Sequence, residues 1–134
     1  MGVKKLKLAI VGTSHLTENE NLDARKIILW IIRNHPETTE IVTGDALGID
    51  RLVSEITLEH GLQLHAFTSA ANEWQAYKIR NEFIAEYCDI LYCITTKTKN
   101  TPCYHCKLDH QRTGGCWTMK YAKGLNKETH LVII

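Results

Sequence analysis

The sequence predicts a three-layer α/β sandwich, a mainly parallel five-stranded sheet with helices on both faces. Short β-branched runs alternate with longer stretches of helical apolar spacing, in the order that builds parallel sheets. Several of the strand candidates end in glycine-bearing turns that open into helical patterns. At 134 residues the chain suits one domain, residues 1–134, large enough to bury its own core.

The first expected strand, residues 6–11, runs straight into Gly12, Thr13 and Ser14. A helix follows over 18–34. Thr17 and Glu20 have the spacing of a capping box, and Pro36 stands just past the end. Residues 27–32 are ambiguous alone, because an unbroken apolar run also suits a buried strand. The capping box, the charged lead-in of Asp23, Arg25 and Lys26, and the total length favour the helix. A helix apolar nearly all round needs cover on two sides, and a second subunit would supply one.

The second strand, 40–43, ends in the turn from Gly44 to Gly48, and a helix over 50–60 is closed by Gly61. A third strand is expected over 63–67 and a third helix over 71–87, with Ser69 and Asn72 where that helix should begin. After a strand at 90–95 comes a stretch without regular pattern, long enough to be a functional insertion. Gly114 and Gly115 then lead into a last helix, 116–124, and a last strand, 130–133. In such sheets ligands bind outside the carboxyl ends of the strands, near the switch in strand order. All three glycine turns fall on that edge. Small residues there let backbone approach a phosphate, and unpaired N–H groups at a helix start point at it.

The formal charge of +1 leaves no global field toward nucleic acid. A local excess runs from Lys97 to Lys127 (Lys97, Lys99, Lys107, Arg112, Lys120, Lys123 and Lys127 against Asp109), readable as a polyanion surface or as a solvated basic face. The longest apolar run is too short to span a bilayer, and the N-terminus leads into a strand without an apolar leader. The expected location is cytoplasmic.

In order along the chain, Gly12-Thr13-Ser14, the run from Thr43 to Arg51, Trp74, Arg80-Asn81, Cys88-Asp89, and Gly114-Gly115 with Thr118 resemble the SLOG superfamily. This Rossmann-like group includes the cpYpsA/YspA-related proteins, the lonely-guy phosphoribohydrolases and the DprA DNA-processing proteins. The likeness covers nearly the whole chain and points to the cpYpsA/YspA-like branch. It implies a pocket for a nucleotide or nucleotide derivative. Gly12, Thr13 and Ser14 would form one wall, and Gly44, Asp45 and Gly48 a second. Arg80 and Asn81 would reach in from the third helix, while Gly114, Gly115 and Thr118 hold phosphate at the last helix start. The phosphoribohydrolases carry a Gly-Gly-x-Gly-Thr-x-x-Glu signature with a catalytic glutamate. Here Trp117 replaces the third glycine and Tyr121 stands at the glutamate position, so that activity does not carry over with the resemblance.

Individual residues have competing readings. Arg80 offers a rigid donor fork for phosphate, and no acid lies three or four residues away to pair with it; the alternative is an ordinary surface charge. Asp50 suits capping of the second helix or ligand contact, and Asp45 lies in the turn itself. Glu82 and Asp45 are the candidates for acid–base work at a glycosidic bond, with a solvated helix face as the plain reading of Glu82. Trp74 would stack on a base or fill the core.

Three of the five cysteines cluster within residues 96–116. Cys103 and Cys106 have Cys-x-x-Cys spacing, and His110 and Cys116 can complete a tetrahedral zinc site, with His105 as the alternate fourth ligand. Such an ion would be structural, since four protein ligands leave no open position. A redox dithiol and unlinked thiols are the other readings. Cys93, inside a strand, and Cys88, near a helix end, read as buried apolar fillers. The function expected is nucleotide binding, by sensing or processing a nucleoside phosphate, in a homodimer or higher homo-oligomer. An N-glycosidase on nucleoside monophosphates is the alternative, with single-stranded nucleic-acid binding third.

Overall fold

The computed structural model describes residues 5–97, 103 and 114–134. Its elements are β1 (Leu6–Gly12), α1 (Glu18–Arg33), β2 (Thr38–Thr43), α2 (Ile49–Glu59), β3 (Leu64–Ala66), α3 (Trp74–Tyr87), β4 (Ile90–Thr95), α4 (Gly114–Gly124) and β5 (Glu128–Ile133). The strands form one five-stranded sheet in the order β3-β2-β1-β4-β5, and every neighbouring pair is parallel. The expected fold class is the one observed.

Period-two alternation decides which layer each strand residue feeds. Leu8 and Ile10 of β1 join Ile41, Tyr92 and Ile94 against Ala24, Ile28 and Ile31 of α1 and Leu52, Val53 and Ile56 of α2. Ala9 and Val11, one residue out of phase, join Val42, Leu91 and Cys93 against Ile84 and Ala85 of α3 and Ala122 of α4. Because both faces are covered, the central strands read as continuous apolar runs. The chain leaves β1 toward β2 over one face and leaves β4 toward β5 over the other. The switch in strand order therefore lies between β1 and β4, which pair from Leu8↔Ile90 to Gly12↔Ile94.

The run at 27–32 is helical. Thr17 accepts the N–H of Glu20 at 3.2 Å while Glu20 Oε1 accepts that of Thr17 at 2.9 Å, the reciprocal capping box the spacing predicts. Trp30 nevertheless stays 56% exposed. Gly61, at φ +65°, follows the C-cap His60 of α2 as expected.

Some boundaries differ from the sequence expectation. The third helix starts at Trp74, not at 71, because Ser69 is engaged with Asp45 and the N-cap Glu73 is extended. The last helix starts two residues early, at Gly114, where the absence of side chains lets its first turn press against β1. Cys88 and Cys93 are both fully buried, and burial pushes the Cys88 thiol up to about 11, an inert core sulfur. No helix among the described residues is long and apolar enough to cross a membrane.

Candidate functional site

At the carboxyl edge of the sheet, over the β1/β4 switch, lies a cleft of about 780 Å³. Gly12, Thr13 and Ser14 line it from the end of β1, Asp45 and Asp50 from the β2–α2 connection, Arg80 and Asn81 from α3, and Gly114, Gly115 and Thr118 from α4. Residues more than a hundred positions apart in sequence thus share one rim.

Close backbone approach builds this edge. A Cβ on Gly12 would lie 2.0 Å from the carbonyl oxygen of Ile94, and one on Gly115 would lie 2.9 Å from Gly12 Cα. Strand β1, the end of β4 and the start of α4 therefore touch backbone to backbone, which only glycine permits. Gly48 does the same on the other side. It caps α2 at φ +74°, where a Cβ would sit 2.4 Å from the Thr13 carbonyl oxygen, and Ile49 N–H donates to that oxygen at 3.0 Å. Gly48 and Gly44 do not line the cleft; they shape its walls from behind.

Arg80 is buried, 7% exposed, and is not the unpaired charge its helical neighbours suggested. Its Nη1 lies 2.5 Å from Asp45 Oδ1, and its Nε donates to Asn81 Oδ1 at 3.1 Å. The partner comes from 35 residues away. Asp45 Oδ2 in turn accepts the backbone N–H of Ser69 at 3.1 Å. Burial works to raise the Asp45 carboxyl, but the Arg80 hydrogen bond and charge and the Ser69 N–H outweigh it, holding Asp45 below its usual range. It is an ionised clamp for Arg80.

Asp50 has the opposite character. It is 3% exposed and sits in the first turn of α2, whose N-cap is Gly48, so it does not cap that helix with its side chain. Its Oδ2 accepts the N–H of Ala46 at 3.3 Å, while Oδ1 is buried without a partner. Burial pushes its carboxyl up to about 7, only partly opposed by the charge of Arg80. Asn81, also buried, leaves its Nδ2 without a partner. Two carboxyl groups flanking one guanidinium thus have their titration driven in opposite directions.

Other expected residues fare differently. Thr118 lines the cleft, but its hydroxyl donates to the Gly114 carbonyl at 2.8 Å, so that proton is committed within α4. Glu82 is not among the lining residues and lies near Tyr121. Two positions along a helix turn a side chain by roughly 200° from Arg80, which carries it off the cleft. Tyr121 reaches Glu86 at 3.3 Å and stacks on Trp117, and neither aromatic is among the lining residues. Trp74, 46% exposed, lines the cleft edge-on to Trp117 rather than filling the core. Sequence reasoning missed His15, Ser69, Asn72 and Tyr77 as lining residues; Ser69 and Asn72 read as a helix start, and nothing local marked the others.

Cys103 and Cys116 are buried with their sulfurs 3.6 Å apart. Cys106, His105 and His110 lie outside the described residues, as does most of the basic stretch from Lys97. Among the described residues alone, no group of three or more candidate metal ligands occurs.

No family model matches the sequence, and no curated protein matches it. Among solved structures, DNA processing protein A (DprA) from Streptococcus pneumoniae matches with a TM-score of 0.70 at 16% sequence identity, over 96% of this chain and 50% of that one. The chain spans about half the length of that protein. At such low identity the likeness is one of architecture: this chain has a Rossmann-like α/β fold shared with DprA.

Proposed function

We propose that the chain binds a nucleotide or nucleotide derivative in this cleft, as a member of the cpYpsA/YspA-like branch of the SLOG superfamily. The observation that carries the reading is the meeting of the β1 turn, the α4 start and Arg80 on one rim. A helix N-terminus suits a phosphate. The exposed face of Trp74 at the same rim suits a base. The volume, about 780 Å³, is within the range of small-molecule sites. Native mass spectrometry of freshly purified protein tests this directly, expecting a carried-over nucleotide. Calorimetry with AMP should give saturable binding that Arg80→Ala weakens at least tenfold, and absence of any nucleotide binding would refute the proposal.

The N-glycosidase reading keeps Asp45 in the cleft but not Glu82, and gains Asp50 as a second carboxyl. Release of free base from a panel of nucleoside monophosphates would establish it. Single-stranded nucleic-acid binding draws on the fold shared with the DNA processing protein, and predicts affinity that falls steeply with salt. We also propose a structural zinc ion held by Cys103, Cys106, His110 and Cys116. The 3.6 Å separation of the Cys103 and Cys116 sulfurs is near the roughly 3.8 Å edge of a tetrahedron with Zn–S bonds of about 2.3 Å. Protein purified without added metal should carry one zinc per chain, and finding none refutes it. A homodimer is the proposed assembly, covering Leu22 and Trp30 on α1, which are 57% and 56% exposed. Light scattering on the pure protein would decide.

A further inference from the structure

We propose that Asp50 binds the ligand as a carboxylic acid, donating a hydrogen bond from the floor of the cleft, so that capture of an anion takes up a proton. The inference rests on the anion-binding reading above. It begins with what surrounds the carboxyl. Oδ2 has one backbone donor, Ala46 N–H, at 3.3 Å. The Thr43 hydroxyl stands beside Asp50 but gives its proton to the Ile10 carbonyl at 2.7 Å. Arg80, the cation facing it from α3, is committed to Asp45 and Asn81. The remaining titratable groups at the cleft are His15 from the β1–α1 turn and Tyr77 from α3. Oδ1 is thus a buried oxygen without a hydrogen-bond partner.

A buried carboxyl in that position favours its neutral form, and burial pushes it up to about 7. The neutral form turns Oδ1 into a donor. Asn81 Nδ2, buried and unpartnered beside the same guanidinium, is a second donor without an acceptor. Beside Arg80 they are two buried polar groups that no residue satisfies, and phosphate oxygens would supply acceptors for both. An ionised Asp50 would repel the same phosphate across a short, poorly solvated gap. An arriving anion therefore strengthens the hold of Asp50 on its proton, and the two binding events are linked.

The test is calorimetry of the full chain with AMP at pH 7, 8 and 9, where a phosphate monoester with a second ionisation near ~6 is already a dianion. Wild-type affinity should fall up to tenfold per pH unit. Asp50→Asn keeps a neutral donor, so its affinity should stay flat and exceed wild type by at least tenfold at pH 9. Titrations in two buffers of different ionisation enthalpy should show proton uptake by wild type at pH 8 and none by the variant. Equal slopes in the two proteins, or an Asn variant weaker than wild type at pH 9, would overturn the proposal. Sulfate, which does not titrate in this range, serves as a second probe. Binding of sulfate without AMP would refute the nucleotide reading while still testing Asp50 by the same slopes. Binding of neither at pH 7 would overturn both.

Discussion

Replacing Asp50 with Asn should stabilise the folded chain at alkaline pH, and the size of the gain follows from where its proton is held. The unfolded carboxyl titrates near 3.8 and the folded one is pushed up to about 7. Below 3.8 both states carry the proton, and the contribution of Asp50 to stability is at its greatest. As pH rises to about 7 the unfolded chain releases the proton while the folded chain retains it, so stability is lost progressively. Above 7 the loss is complete. At 1.36 kcal/mol per pKa unit it comes to about 4 kcal/mol. Asn abolishes this slope but keeps an unpartnered polar atom in the same buried place, which offsets about half of the gain. A net stabilisation of roughly 2 kcal/mol at pH 8 is expected, shrinking or reversing at pH 4. Urea unfolding of both proteins at several pH values measures the difference directly. If the difference does not change with pH, Asp50 is not a buried neutral acid and the reasoning fails. A residue whose removal stabilises the fold while altering ligand binding is one kept for function.

Further expectations concern the frame around the cleft. Gly48→Ala meets both a left-handed φ and the Thr13 carbonyl, and should cost about 2 kcal/mol or more in urea unfolding. Asp45→Asn removes the anion that faces buried Arg80; a loss of about 1–3 kcal/mol in thermal or urea unfolding is expected, together with weaker anion binding. Thr17→Ala breaks the capping box of α1, far from the cleft, and should cost about 1 kcal/mol without changing ligand affinity. Glu82→Gln should leave ligand affinity unchanged in calorimetry, because that side chain does not line the cleft.

Much of the architecture was legible because its determinants are local. The capping box at Thr17 and Glu20, the left-handed glycine after α2 and the alternation in β1 depend on residues a few positions apart, and each is observed. The glycine turns announced the edge that carries the cleft for the same reason. That they meet at one cleft follows from strand order, which right-handed crossovers constrain strongly.

The electrostatics of the cleft were not legible in this way. The ion pair of Arg80 spans 35 residues, and inspection of helical neighbours could not find it. Asp50 read as a helix cap because its position near a helix start is visible in the chain, whereas its burial depends on how α2 docks on Thr13. Glu82, two residues from Arg80 in sequence, is turned away from the cleft lining by helical geometry. Periodicity, caps and turn glycines are encoded by neighbours, so the order of amino acids specifies them directly. The protonation and pairing of a buried group depend on the solvent removed and the charges brought near, and these exist only once distant segments have been assembled.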